Sequence, residues 1–546
     1  MSSIDPLAEQ MADRIDGSYD CVDRIVLNAH FRLGMSPGGF RTWWRQLFGS
    51  DENLDDNHLM RMAGRFSRRL RAFAREHHIP VIDATSGKNK RMHQLAEFHR
   101  PDDPDFIGLF CITISRAPAP VWKVRRFGNG GIDLTRKRAW VNHYSFHIID
   151  AEWGHVTFKL CGHAPFSVQI MLNGHEFVAR QLPRWGIDAT QAGNCFTETS
   201  DAAGLSQRAE TSCSPSTIGR LWQVVERWIS SSCLCFALST DEQRASDFHY
   251  DYSVYQMEVS RNWLFRSACV RDRFFQDLID RVRRILDVKR LRTIFGRKRR
   301  PFKHQGPQPK LEIVVEHPEY DMTVFKIHFG LLTLKIYTKA SGVLRLEVIT
   351  HNTRQLGCGR VLRQYAEIAS RLRAILERFV GVLAELQMPW IDSEQIDRLP
   401  QPSERGSRRI AGVDLSKPRM RAGLQALLSL AASPQGFTTT DLAEALNQRQ
   451  SSTLTIRQAA YDLSKFRAKS FVERIAGTHR YQLCTDRVRP LAALFVLREN
   501  VIHPLISRHA QLQRGRRPKH QTPIDIQYHR LQREMQKLFK LLHIAA

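Results

Sequence analysis

Three carboxylates are the first candidates for chemistry in this chain: Asp150, Glu258 and Glu347. Acids gathered around Mg²⁺ can activate water and stabilise a leaving oxygen, so a metal-dependent nuclease or strand-transfer site would need all three to converge from distant strands. A denser constellation surrounds the last of them. Tyr337, Lys339, Arg345 and Glu347 form Tyr-x-Lys-x5-Arg-x-Glu, with a turn at Ser341-Gly342 between the halves. Such cations beside a tyrosine suit a phosphate backbone, and an ion pair of Glu347 with Arg345 or Lys339 is the plain structural alternative.

Other chemistry-bearing residues have weaker spacing. His143, His147, His155, His163 and His175 gather in a strand-rich stretch without the His-Glu-x-x-His order of a helix-borne zinc site. The paired His-apolar-His strand is absent too, so the metal identity stays open and hydrogen-bonded structural histidines are the ordinary reading. Tyr250, Tyr252 and Tyr255 could supply a nucleophile, although aromatic residues at this spacing usually pack. Gly87-Lys88-Asn89-Lys90-Arg91 is basic but lacks the spacing of a phosphate-cradling loop.

Charge sets the partner class. Lys and Arg number 81 against 55 Asp and Glu, a net +26, which points to a polyanion and first of all to DNA, with RNA as the alternative. Arg281, Arg283, Arg284, Lys289, Arg290 and Arg292 lead into Arg297, Lys298, Arg299, Arg300 and Lys303, with Phe295 and Phe302 interleaved. Each phosphate that such a segment neutralises adds about 0.9 to the salt slope on duplex DNA. An uninterrupted apolar run of about 18 residues is missing, so no membrane span or membrane partner is expected. The start Met-Ser-Ser-Ile-Asp-Pro carries no secretory pattern. The ten cysteines are scattered without a Cys-x-x-Cys pair, which fits free thiols in a cytoplasmic protein.

The elements that must position these residues read as an α+β multidomain chain. The expected order is a mostly helical basic region at 1–100, an α+β domain at 101–280 and a basic linker at 281–310. An antiparallel sheet with a long helix at 311–398, a linker at 399–416, a helix-rich module at 417–510 and a basic tail with a terminal helix at 511–546 follow. Strands are expected at 110–114, 121–124, 144–149, 156–160 and 168–172, with Asn173-Gly174 as a turn. A second set is expected at 311–315, 323–329, 331–337 and 343–350, and 185–275 reads as helical. Leu344, Leu346 and Val348 alternate with Arg345 and Glu347, the two-residue period of a half-buried strand. The C-terminal helices, including the apolar 491–506, offer a homodimer surface.

Residues 417–483 carry the most specific order. A first helix with Leu424, Leu427, Leu428 and Leu430 stops at Ser433-Pro434-Gln435-Gly436, and Thr438-Thr439-Thr440-Asp441 starts a second. A third spans about 455–469, with Ile456, Ala459, Ala460, Leu463 and Phe466 as its apolar stripe. Strands at 471–475 and 480–483 flank a turn at Gly477-Thr478. Arg457, Gln458, Tyr461 and Lys465 fall on the outer side of the third helix, where Arg and Gln suit base edges and Lys suits phosphate. Arg474, His479 and Arg480 put charge on the hairpin.

Over about 417–485 this order, with its Val-Glu-Arg … Arg-Tyr hairpin, resembles the winged helix-turn-helix of MarR-type bacterial regulators. The resemblance implies duplex-DNA binding; winged helices also dock proteins. Residues 336–348, through Tyr-x-Lys … Arg-x-Glu, resemble phage and plasmid replication-initiation proteins. That likeness implies a role in replication or mobile-element maintenance, while the missing His-apolar-His strand departs from the nucleases of that group.

Overall fold

The sheet is built around a strand that the sequence hides. In the computed structural model, β1 (Ile15–Phe31) lies at the centre, where the expectation was a helical region. Described are residues 5–86, 92–127, 131–285, 310–315, 323–329, 331–340, 342–387, 398–405, 408–415, 417–431, 435–448 and 454–484, with 433, 487, 491, 530, 533 and 534 singly. The basic stretch at 87–91, the cationic run Arg297, Lys298, Arg299 and Arg300, and the helices expected beyond 491 lie outside them.

Ten further strands join β1: β2 (Val81–Asp83), β3 (Gly108–Arg126), β4 (Ile132–Asp150), β5 (Gly154–Cys161), β6 (Val168–Asn173), β9 (Tyr250–Phe265), β10 (Lys310–Val315), β11 (Thr323–Phe329), β12 (Leu332–Lys339) and β13 (Val343–Thr350). Their order is β10-β11-β12-β13-β9-β1-β6-β5-β4-β3-β2. The two strand-rich stretches of the sequence therefore form one sheet, sewn together by β1 and β9. Strand β9 replaces part of the helical stretch expected at 185–275, and a small hairpin, β7 (Ala189–Gln191) with β8 (Phe196–Thr199), also falls there. Asn173 is not a hairpin turn: its side chain caps the helix Gly174–Ala179 through the His175 amide.

Strand β1 was missed because polar residues interrupt it, yet most of its residues, Asp20 and Asp23 among them, are buried. A strand covered on both faces has no alternation to read. Its Asp20 is neutralised by the Arg261 guanidinium on β9, at 2.7 and 2.8 Å. Arg261, Leu344, Leu346 and Val348 share the face on which the long helix Tyr365–Gln387 packs.

Each of the longer helices buries an apolar stripe. Helix α1 (Pro37–Phe48) buries Phe40, Trp43 and Trp44, and α2 (Asp56–Glu76) buries Leu59, Met62, Phe66 and Leu70 over β4. Asp55 starts α2 by accepting the His58 amide at 2.7 Å. Helix α3 (Tyr365–Gln387) lays Ile368, Leu372, Leu376, Phe379 and Leu383 over β9 and β13. After it come a two-stranded piece, β14 (Ser403–Arg405) with β15 (Arg408–Ile410), and the helices α4 (Pro418–Leu430), α5 (Thr439–Asn447) and α6 (Ile456–Ala468). The hairpin β16 (Val472–Arg474) and β17 (Tyr481–Leu483) follows them. The fold is α+β, as expected.

Candidate functional site

Pairing across β12, β13 and β9 places the Tyr-x-Lys … Arg-x-Glu residues on one sheet face. Tyr337 lies opposite Arg345 and Lys335 opposite Glu347, and on the other side Arg345 faces Asn262 and Glu347 faces Ser260. Ile349 pairs with Glu258, so Glu258 and Glu347 are diagonal neighbours on adjacent strands. The two-residue period keeps Lys335, Tyr337, Lys339, Arg345, Glu347, Glu258, Ser260 and Asn262 on the same side.

Arg345 is fully buried there. Its guanidinium binds the Asp23 carboxylate of β1, the Ser260 hydroxyl at 3.0 Å and the Asn194 carbonyl at 2.6 Å. Ser260 donates to the same Asp23 oxygen at 3.0 Å, and Asn262 donates to Ser260 at 3.0 Å. His175 Nδ1 stands 3.1 Å from Asp23, with the Tyr19 hydroxyl 3.4 Å from its Nε2. Burial holds the imidazole neutral, with a pKa of about 3. Lys339 donates to the Asn194 side chain, which places the segment between β7 and β8 over this cluster. Asp23 Oδ2, Arg345 Nε and Asn262 Oδ1 are buried without a hydrogen-bond partner among the described residues. Each such atom costs stability, and clusters of them mark functional sites more often than ordinary cores.

The two acids diverge electrostatically. Burial opposes ionisation of Glu347, but Lys335, bonded at 2.8 Å, together with Arg345 and Lys339 drives its pKa down to about 2. Glu258, half-buried and beside that anion, is pushed up by desolvation and then by Glu347. One carboxylate is held ionised and its neighbour is inclined to keep a proton, a separation that lets paired acids take different roles.

Asp150 does not join them. It ends β4, which β5, β6 and β1 separate from β9, about 19 Å away at ordinary strand spacing. Its carboxylate is consumed locally: it accepts the Glu152 and Trp153 amides at 2.9 and 3.0 Å and the Trp228 indole at 2.8 Å, and it pairs with Arg227. The expected three-acid Mg²⁺ site is thus not assembled. Among the described residues, no group of three or more His, Cys, Asp or Glu side chains could hold a metal ion. His147 and His155 do meet at 3.2 Å, but His143 turns to the Val141 carbonyl and His175 belongs to the Asp23 network.

The residues overlooked in sequence are Asp23, Lys335, Ser260 and Asn194. Lys335 had a readable signal, since it shares the alternation of Tyr337 and Lys339. Asp23 had none, because it sits at a register shift of an unrecognised strand.

The C-terminal elements form a second candidate surface. Thr438 and Thr455 cap α5 and α6 in reciprocal pairs with Asp441 and Gln458. Phe437 exchanges both backbone hydrogen bonds with Tyr481, each at 2.7 Å, which ties the α4–α5 connection to β17. Gly436 is required beside it: its φ is +71°, and a Cβ there would lie 2.4 Å from the Tyr481 carbonyl oxygen. Ala459, Leu463 and Phe466 are buried as expected, whereas Ile456 and Ala460 are exposed, and Asp462 takes an inner place paired with Arg419 at 2.7 Å.

Several expected contact residues are engaged inside this module. The Gln458 side chain closes the α6 cap at 2.9 Å. Lys465 reaches Asp462 at 3.9 Å and lies 4.7 Å from the Tyr461 ring centroid. Arg474 bonds the Thr478 carbonyl at 2.7 Å and approaches His479 at 3.4 Å, while Arg480 bonds the Gly436 carbonyl at 3.1 Å. Arg457 and Tyr461 remain outward on α6, beside Ile456.

No family model and no curated protein matches the chain. A solved structure, the rolling circle replication initiator protein from Geobacillus stearothermophilus, aligns over 66% of this chain and 83% of its own, at 9% identity and a TM-score of 0.19. That superposition establishes no common fold. Among the described residues, no helix is long and apolar enough to cross a membrane.

Proposed function

We propose that this protein binds nucleic acid and engages duplex DNA through a winged helix-turn-helix at 417–485, in the replication or maintenance of a mobile element in the cytoplasm. The observation that carries the reading is the outward face of α6, where Ile456, Arg457, Ala460 and Tyr461 are exposed beside the β16–β17 hairpin. A helix with its N-terminal half free can enter a major groove, where Arg457 suits a guanine edge. The net charge of +26 supplies the sequence-independent attraction. The polar face of β9, β12 and β13 is the candidate working site, with Lys335, Lys339 and Tyr337 nearest to solvent.

One observation favours a second reading, a strand-cleaving or strand-transfer enzyme: Glu258 and Glu347 form a split pair beside Tyr337. A Mg²⁺ ion at this pair would have to displace Lys335 from Glu347. Native and denaturing gels on labelled duplex DNA, single-stranded DNA and RNA, each with and without Mg²⁺, test both readings. A salt-sensitive duplex shift with intact strands is expected. Mg²⁺-dependent cleavage abolished by Glu347→Gln would bring the second reading forward, preferential RNA binding would replace duplex DNA, and no shift at low salt would overturn the proposal.

A further inference from the structure

The strands β3 and β4 continue far beyond their neighbours. Strand β2 pairs with β3 only from Ile112 to Ile114, and β5 pairs with β4 only from His143 onward. From Arg116 opposite Asn142 to Arg126 opposite Ile132, the two strands run as a two-stranded ribbon. Its far end is tied down, and its other end continues into the sheet. Trp122 donates to the Gly34 carbonyl at 2.9 Å, Val124 to Asp56 at 2.9 Å and Arg126 to the Leu54 carbonyl at 3.2 Å. Ala119, Val121, Ala139 and Val141 cluster with Cys161 on the ribbon's inner face.

The outer face is cationic and carries one bare aromatic ring. Of the cations between 116 and 142, period two places Arg116, Arg126, Arg136 and Arg138 on this face and Lys123, Arg125 and Lys137 on the other, with Asp133 the one acid in the stretch. Trp140 is 64% exposed. Period two places it on the same face as Arg116, Arg138 and Asn142, with Pro118 directly opposite Trp140 and Pro120 opposite Arg138. All of these are exposed. Arg116, Lys137 and Arg138 form no ion pair or side-chain hydrogen bond among the described residues, so their charge is available to a ligand. The prolines withhold donors from the free edge of β3 and protect it from pairing with another strand.

We propose that this ribbon is a binding surface for single-stranded nucleic acid, in which an unpaired base stacks on Trp140 while Arg116 and Arg138 hold the flanking phosphates. A duplex offers a protein only phosphates and base edges, so an isolated exposed indole has no face to meet there. An unpaired base has a free π-face, and base–aromatic stacking flanked by cations is the recurring arrangement of single-strand binding. Because one end of the ribbon is tied to the body and the other continues into the sheet, little conformational freedom is lost on binding. This inference rests on the nucleic-acid reading above but not on the C-terminal module.

The test is fluorescence anisotropy of the full-length protein with a labelled thymidine oligomer of about 20 nucleotides, a matched uridine oligomer and a duplex; wild type is expected to bind the thymidine oligomer. Trp140→Ala should weaken that binding about 10-fold or more, Trp140→Phe should largely restore it, and duplex affinity should be unchanged. Arg116→Gln with Arg138→Gln should lower the salt slope on the oligomer by about 1.4, from roughly 0.7 per phosphate contact. Equal weakening of duplex binding by Trp140→Ala, or wild-type oligomer affinity in that variant, would overturn the ribbon site. Duplex binding with no oligomer binding in wild type would also overturn it and leave the C-terminal reading standing. If wild type binds none of the three, the nucleic-acid reading itself fails, and the ribbon with it. Weakening on the uridine oligomer alone would reassign the site from DNA to RNA and overturn the DNA form of the proposal.

Discussion

The polar face of the sheet and the outer face of α6 use charged side chains in opposite ways. On the sheet, Arg345 is fully buried and its partners Asp23, Ser260 and Asn194 come from three separate parts of the chain. On α6, Arg457 and Tyr461 stand outward, and the residues that support them, Thr455, Gln458 and Asp462, lie within a few positions. The first region holds its charges in place through long-range packing; the second assembles locally and leaves a few side chains uncommitted. A cationic residue in this protein therefore means little until its partners are known, as Lys465 and Arg480 show.

The sharpest contrast is in stability. Arg345→Ala would leave the Asp23 carboxylate buried beside a neutral His175 and should cost about 3–5 kcal/mol, read by urea denaturation. Arg457→Ala, at an exposed position without such partners among the described residues, should stay within about 0.5 kcal/mol of wild type. A loss below about 1 kcal/mol for Arg345→Ala would mean that water already reaches the network, and the comparison would collapse.

Binding should reverse the ranking. Arg457→Ala is expected to weaken duplex binding by about 1–3 kcal/mol in a gel-shift titration, with relaxed sequence preference at one position. Tyr461→Ala should weaken it as well, because the ring is exposed and Lys465 packs against it. If Arg457→Ala binds like wild type while Arg474→Ala or His479→Ala does not, the contact surface belongs to the hairpin rather than to α6.

The same contrast explains what the sequence revealed. Helices α2 and α3, the C-terminal module and strands β5, β6 and β10 to β13 were readable because each has a local period or a cap: Thr438 with Asp441 starts α5 as its spacing predicts. Strand β1 was not, since Asp20, Asp23 and Arg24 break the apolar run and the cations that bind Asp20 and Asp23 lie more than 200 residues away on β9 and β13. Strand β9, with Tyr250, Tyr252, Glu258 and Arg261, failed in the same way. The motif Tyr337-x-Lys339 … Arg345-x-Glu347 was visible because a single hairpin carries it. Asp150 misled because a buried carboxylate that caps a turn looks, in sequence, like one aimed at a metal.

A smaller effect separates folding from binding inside the module. Thr455→Ala removes the side chain that accepts the Gln458 amide at 3.3 Å and should cost about 1 kcal/mol of stability. Duplex binding measured well below the melting transition should then change little. A large loss of affinity with intact stability would show instead that the α6 N-terminus itself touches the ligand.

The smallest effect concerns the acid pair, and its sign is what matters. The folded-state pKa of Glu347 is depressed to about 2, so its stabilising contribution is full above the unfolded value of about 4.3 and is lost as pH falls toward 2. The folded-state pKa of Glu258 is raised by desolvation and by Glu347, so its contribution is full below about 4.3 and is lost as pH rises through its own folded value. Glu258→Gln mimics the protonated form and should raise stability at pH 7 relative to wild type, with the gain vanishing near pH 4. Glu347→Gln should do the reverse, because it strands Lys335 and Arg345 beside a neutral amide. Denaturation midpoints of both variants at pH 4 and pH 7 decide the matter. If Glu258→Gln were destabilising at both, Glu258 would be held ionised by the cations around it, and the pair would be two structural anions rather than an acid set against its conjugate neighbour.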